Sequence, residues 1–513
     1  MTHAIRTRRG GRIRSAAAGL SAAVVAVGMG ELVAAVVEPS ASPFAVIGSG
    51  LIDLAPSWAK DAAIALFGTG DKAALLTGIA VVLIGVAALA GILESGRAGV
   101  GATILGALGA LALVAAMIRP GAGPFAWLPG LVAGVVAIVA LRLLMRVVHP
   151  VPYLRSEDAE RRRFLLWTVG VAATGVAALI VGSVARGATR SIEAVRAALR
   201  LPSPERPAAA VASGAELDIP GLARVVTPNA EFYRIDTALI VPRMDPADWS
   251  LRIRGMVERE IEITWDELLA LPLQESHVTL ACVSNEVGGD LIGNALWLGH
   301  PIRELLERAG VDADADMVLS RSVDGFTAST PLEALTDDRD ALLAVGMNGD
   351  PLPLEHGFPV RMVVPGLYGY VSATKWVTEL EVTRFDRATA YWTDRGWAER
   401  GPIKLQSRID VPRRGQRVEP GDAVIAGMAW QQHVGIDGVE VRIDEGPWRR
   451  AELATAISDD TWVQWRLDWT AESGAHTIEC RALSAAGETQ TSAPAGVVPD
   501  GAQGWHRVEV SVG

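Results

Sequence analysis

Among the side chains of this 513-residue sequence that can carry chemistry, the thiol of Cys282 has the most informative setting. It stands in T-L-A-C-V-S-N-E-V-G-G-D, residues 279–290, where an apolar strand pattern gives way to a polar loop with two glycines. A structural cysteine sits more often inside a strand or helix, so this position favours a reactive or metal-ligating thiolate. The only other cysteine is Cys480, which excludes a disulfide scaffold and any Cys-rich zinc or iron–sulfur site. The eight histidines are His3, His149, His277, His300, His356, His433, His476 and His506, and none falls in the middle of an apolar run. Haem gripped between membrane helices is therefore not expected, because its usual axial ligands are missing.

A second block, residues 348–366, reads N-G-D-P-L-P-L-E-H-G-F-P-V-R-M-V-V-P-G and is followed by Lys375-Trp376. Together with residues 278–306, which end A-L-W-L-G-H-P-I-R-E-L-L, it resembles the molybdenum-binding domain of the sulfite oxidase family. The resemblance covers about residues 225–513, and its H-G-F-P-V-R core is far more specific than a lone cysteine. It implies a molybdenum–molybdopterin cofactor, with Cys282 as the catalytic thiolate ligand to the metal, a role that suits a soft anionic sulfur. It also implies that His356, Arg361, Thr374 and Lys375 hold the pterin and its phosphate, which call for cationic donors. Asn229, Phe232, Tyr233 and Arg234 fall where the family has a cofactor-touching F-x-R-N-H segment, although Ile235-Asp236 replaces its last two letters. The family's paired arginines after the cysteine are also absent, since Glu286-Val287 stands there. A carboxylate in that place opposes a sulfite dianion unless Arg321, Arg395 or His433 restores charge. The run Y-W-T-D-R-G-W, residues 391–397, either walls the approach to the metal or packs a domain junction.

These residues need elements to place them. Strand patterns at 278–280, 360–364 and 378–382 mix with helix patterns at 265–271 and 302–309, which predicts an α+β molybdopterin-binding domain over 223–397. From 398 to 513 period-two segments at 423–429, 438–443, 462–468, 476–482 and 505–512 predict an immunoglobulin-like sandwich, similar to the family's dimerisation domain. A homodimer would follow. Residues 187–222, rich in Ala, Pro, Arg and Ser, read as a linker.

The first 186 residues are a different material. Five apolar stretches near 16–37, 73–93, 100–118, 125–148 and 164–184 each match the roughly 20 residues that cross a bilayer, which predicts a five-helix transmembrane domain. The mean hydropathy is +0.28. The net charge of −11 hides a split: residues 1–200 hold 19 Lys/Arg and 10 Asp/Glu, leaving 28 and 48 for the rest. An acidic second half without a basic run argues against nucleic acid as a partner.

Arginines at 6, 8, 9, 12 and 14, and at 155 and 161–163, mark cytoplasmic sides, so five spans put the chain after residue 186 outside the cytoplasmic membrane. The first span has the basic start of a signal peptide, but its length and the four spans after it favour an uncleaved helix. Glu31 within it is either a functional intramembrane carboxylate or one that reaches the interface. The run R-R-R-F-L-L from Arg161 also fits the twin-arginine pattern for export of a folded domain, which positive-inside placement alone would equally produce. The combined expectation is a membrane-anchored oxidoreductase that acts on a small molecule and passes electrons to a separate partner. The other reading is a catalytically idle anchor and adhesion protein on the same scaffold.

Overall fold

A computed structural model describes residues 2–37, 41–54, 71–118, 123–148, 157–188, 192–238 and 241–513. The chain divides into two compact units, one built on the residues before 192 and the other on Ile192–Thr237 with Val241–Gly513.

The first unit is helical. Five helices contain segments long and apolar enough to cross a membrane: Gly11–Val37, Thr77–Gly96, Val100–Met117, Trp127–Val148 and Arg162–Val181. Each coincides with an expected stretch. Large apolar side chains such as Val82, Leu111, Val139, Leu166 and Ile180 point outward, the reverse of a water-soluble bundle. Small residues line the helix contacts instead: a Cβ on Gly19 would lie 2.1 Å from the Ala87 carbonyl oxygen, and one on Gly28 would lie 2.2 Å from that of Gly175. Only glycine lets the backbones approach this closely. A further helix, Pro43–Leu54, was not expected. Glu31 accepts hydrogen bonds from Ser42 Oγ (2.6 Å) and the Phe44 amide (3.3 Å), and so caps that helix from within the bundle.

The second unit carries four sheets. Strands β1 (Ser250–Gly255), β2 (Ile261–Thr264), β5 (Met317–Ser322), β6 (Thr327–Pro331) and β10 (Val377–Thr383) form one in the order β2-β1-β10-β5-β6. The sheet nearest the cysteine contains β3 (Gln274–Ala281), β4 (Ile292–Pro301), β7 (Leu342–Met347) and β8 (Asp350–Pro351), with β9 (Arg361–Val363) paired to β7. The helices Trp265–Ala270 and Ile302–Ala309 stand where expected, the second burying Ile302, Leu305, Leu306 and Ala309 and ending at Gly310 with φ +71°.

The C-terminal part is a two-sheet β structure. Strands β11 (Gln406–Val411), β13 (Gly421–Trp430), β16 (Glu452–Leu453) and β17 (Val463–Ala471) face β12 (Arg417–Val418), β14 (Ile436–Ile443), β15 (Arg449–Arg450), β18 (Gly474–Ser484) and β19 (His506–Val512). Ile425, Trp465, Val439, Val441, Ile478 and Val508 fill the space between. Cys480 is buried there too, with Ser407 Oγ donating to its sulfur at 3.3 Å. At the expected boundary near 397 the core does not stop: Met428, Trp430 and Trp462 belong to the same apolar cluster as Leu251, Ile302 and Val345.

One expectation is corrected. The described part of the segment read as a linker is packed rather than free. Arg196 donates to the Pro351 and Leu352 carbonyls, and Leu199 and Leu201 rest on the core. The Glu205 amide bonds Leu273 O at 2.8 Å, and Arg206 O accepts from Glu275 at 2.9 Å. Further on, Gln464 binds Glu216 (2.6 Å) and the Leu217 amide (2.7 Å). Pro/Ala-rich composition describes a chain that makes no regular element; it does not say whether neighbours satisfy its backbone groups.

Candidate functional site

Cys282 is the first residue after β3 and is 8% exposed. Its amide bonds Leu291 O (2.9 Å), its carbonyl accepts from Asn285 (3.1 Å), and Asn285 Oδ1 accepts from the Leu291 amide (2.9 Å). These three bonds close the loop 282–291 on itself. Burial pushes the thiol above its usual range, and contacts from the Ser284 amide and hydroxyl pull the other way.

Six other expected residues gather near it or near each other. Phe232 is buried and stacks on Tyr233 (5.2 Å between centroids), and its edge or face meets Trp297 (5.8 Å) and His356 (5.5 Å). The buried Tyr233 hydroxyl is pushed up by desolvation and by Cys282 and drawn down by Arg361, so it lies near both the thiol and the guanidinium. His356 ends the turn Leu354–His356, its Nε2 3.3 Å from Asn229 O. Burial, with Arg361 and Lys375 close by, pushes the imidazole down to about 3, so it is neutral at physiological pH. Gly357 follows at φ +111°; a Cβ there would sit 3.0 Å from Arg361 Cβ and 3.1 Å from Lys375 Cβ. The turn is thus wedged between two cations.

Arg361 opens β9. Its guanidinium donates to His356 O (3.1 Å), Met362 O (3.2 Å) and Ala373 O (3.5 Å) and lies 5.0 Å from the Trp297 ring. Burial lowers it to about 10, and among the described residues no carboxylate pairs with it. Lys375 Nζ donates to Asp236 Oδ2 (2.7 Å) and Glu355 O (3.0 Å), and Arg234 Nε reaches the same Asp236 oxygen at 3.0 Å.

Two expected residues act differently. The Thr374 hydroxyl is engaged with Ser320 Oγ at 2.7 Å, while its carbonyl accepts from the Met362 amide. The Asn229 amide is spent on Met347 O (3.2 Å) and Asn348 Nδ2 (2.8 Å), holding the turn between β7 and β8. These two shape the site through the backbone.

On the substrate side, Glu286 is exposed. Arg321 pairs with Glu379 (3.4 Å), His433 with Asp460 (3.2 Å), and Arg395 lies 3.6 Å from the Tyr391 centroid. Each therefore has a local partner. In the aromatic run Trp392 meets both Tyr391 and Trp397, and Trp397 meets Tyr370, so the run packs on itself and onto the core.

Three contributors had no motif to announce them. Tyr368 is pushed up to about 12 by burial, with Cys282 among its neighbours. Arg408 of β11 donates to Gly289 O at 2.7 Å, and His506 of β19 lies under Gly288, where a Cβ would be 2.3 Å from the ring. The sandwich thereby clamps the cysteine loop. Asp236, visible in sequence only as a departure from the motif, joins two of the cations.

A buried guanidinium whose hydrogen bonds among the described residues all go to carbonyls, a neutral imidazole and a buried thiol together fit an anionic, metal-bearing ligand better than they fit one another. Comparisons with known proteins agree. The family described as "Oxidoreductase molybdopterin binding domain" matches residues 238–392. Mouse mitochondrial sulfite oxidase is 31% identical over 342 residues, covering 56% of this chain and 62% of its own length. The Bacillus subtilis uncharacterized oxidoreductase YuiH is 32% identical over 157 residues, 31% of this chain and 76% of that one. The solved sulfane dehydrogenase SoxCD of Paracoccus pantotrophus gives a TM-score of 0.47 at 25% identity, over 52% of this chain and 75% of its own. The chain belongs to the molybdopterin-dependent oxidoreductases of the sulfite oxidase family. It spans about 62% of the length of the mouse enzyme.

Proposed function

We propose that this protein is a membrane-anchored oxidoreductase whose molybdopterin domain faces outward and transfers an oxygen atom to or from a small molecule. The observation that carries the reading is Arg361, a buried cation that has carbonyl partners and the Trp297 face but no carboxylate among the described residues, near Tyr233 and the neutral His356. When bound, the molybdenum cofactor would supply the two-electron, oxygen-transfer chemistry. Cys282 Sγ would ligate the metal as thiolate, releasing its proton, and so overcome the burial that holds the free thiol protonated. Arg361, Lys375 and Arg234 would meet the cofactor's anionic groups. His356 would supply a hydrogen bond without adding charge, and Phe232 and Tyr233 would exclude water. Thr374 and Asn229 hold the backbone on which these residues sit.

The five apolar helices support anchoring in the cytoplasmic membrane with the first residues inside, and the twin arginines Arg161 and Arg162 support export of a folded domain. The two C-terminal sheets support an immunoglobulin-like sandwich and, through it, a homodimer. Electrons would leave through a separate partner, and a haem within this chain is not expected. Molybdenum and pterin analysis of the purified chain tests the reading: about one of each per chain is expected, and their absence would return the protein to an anchor or adhesion role.

The substrate is a neutral or weakly charged S-oxide or N-oxide in preference to sulfite. Glu286 takes the place of cations, and Arg321, Arg395 and His433 are engaged elsewhere. Steady-state kinetics with a dye acceptor at matched salt decides the matter. Sulfite kcat/KM at or above about 10⁴ M⁻¹s⁻¹, ordinary for an enzyme on its own substrate, would sink the preference.

A further inference from the structure

Asp236 occupies the position at which the sequence leaves the family motif, and its side chain is only 4% exposed. One of its oxygens, Oδ2, receives both Lys375 Nζ at 2.7 Å and Arg234 Nε at 3.0 Å. Lys375 is itself 9% exposed and bonded to Glu355 O, one residue before His356. Arg234 is more open, at 36%, and its contact with Asp236 uses only the inner nitrogen of the guanidinium. Its Nη groups have no acceptor among the described residues. A planar guanidinium gripped at Nε has its outer fork fixed in direction, and that fork is the part which binds phosphate or another oxyanion two bonds at a time.

We infer that Asp236 is a positioning residue for cofactor binding: it locks Arg234 and Lys375 to one oxygen and so aims the Arg234 fork and the Lys375 ammonium at the anionic end of the molybdopterin. The inference rests on the molybdopterin reading above. Two flexible cations left alone would repel and spread; one buried carboxylate between them fixes both and leaves a net positive charge for the ligand. The departure from the motif is therefore a replacement support for the same cradle.

The experiment compares the detergent-purified full chain with its Asp236→Asn and Asp236→Glu variants. Molybdenum and pterin per folded chain are measured after dialysis against high salt, with melting temperature recorded alongside. Asn keeps size and one acceptor but loses the charge that holds both cations, so retention falls about tenfold or more, as for loss of an outer-shell partner. Glu keeps the charge but shifts both cations by a methylene, so it retains more than Asn and less than the parent. A purely structural role would lower yield and melting temperature while leaving cofactor per folded chain unchanged, and that result overturns the inference. Should Asn fail to fold, Glu decides alone: retention equal to the parent overturns the proposal, and a loss at unchanged melting temperature upholds it. A parent chain that holds no molybdenum overturns the functional reading itself, which separates the two failures.

Discussion

Arg361 shows what the site is built to tolerate at the scale of the residue. Desolvation pulls its guanidinium down to about 10, and a buried charge without a counter-charge is normally lost to neutralisation or unfolding. Three carbonyls and the Trp297 face hold it among the described residues. The neighbouring thiol has a sharper test. Cys282→Ser should leave melting unchanged within about 0.5–1 kcal/mol, because one sulfur-to-oxygen change in a loop closed by backbone and Asn285 bonds removes little packing. Turnover should nevertheless be lost by more than the 10–100-fold typical of an outer-shell change, and X-ray absorption should show one fewer sulfur around molybdenum. A Ser variant with parental turnover would remove Cys282 from the role.

Protons read the same surroundings. Burial holds His356 near 3 and His506 near 4, both below the 6.5 of an exposed imidazole. Between those values the unfolded chain binds protons that the folded one refuses, so stability rises with pH. The contribution is fully present above about pH 6.5 and is lost as pH falls toward 4, by on the order of 2–3 kcal/mol for His506. Melting temperature from pH 7.5 down to 4.5 checks this: the soluble part should lose stability steadily, and His506→Gln should flatten the curve. Chain position singled out Cys282 as a candidate, and the family resemblance, not spacing alone, brought in His356, Arg361 and Lys375. Nothing in sequence could show that Thr374 would bond Ser320, or that Asp236 would join two cations, because those partnerships are made in space.

Among the elements, the loop between β3 and β4 is held from outside as well as within. Gly288 has φ +79° and lies against the His506 ring, while Arg408, itself paired with Asp410 at 2.6 Å, grips Gly289 O. Gly288→Ala should cost about 1–3 kcal/mol through strain and overlap, and should lower molybdenum content more than it lowers yield, because the displaced loop carries Cys282. Paired melting and metal measurements test this, and parental metal content in a destabilised variant would disconnect the clamp from the site. Strand β11, which supplies Arg408, illustrates why some elements escaped prediction. Gln406, Ser407 and Arg408 are successive and all buried, so polar residues stand on both faces and the apolar alternation that identifies a strand is lost. Strands β17 and β18 keep much of that alternation, while β13 is buried without a break from Ile425 to Trp430; segments of all three are expected from sequence. The helix Pro43–Leu54 was missed for another reason: at 12 residues it is too short to span, and its start depends on a cap from Glu31, distant in sequence.

For the whole molecule, the sequence separates two solvents. A basic, apolar first part and an acidic second part were plain from composition, and the described helices and sheets divide accordingly. The topology prediction belongs here. A reporter fused after residue 190 should lie outside the cytoplasmic membrane, and Arg161→Lys with Arg162→Lys should trap it inside if the twin-arginine route carries it. Unchanged export in the double variant would leave those arginines the sole task of setting orientation.

The clamp on the cysteine loop also sets a timetable. His506 follows Cys282 by 224 residues, so a ribosome that has just added the cysteine must make both C-terminal sheets before the ring that seats the loop exists. Sites built from neighbours in sequence can form while synthesis continues; this contact needs the last strand. Until β19 pairs with β18 the His506 ring is not in place against Gly288, so the loop that carries Cys282 lacks that support.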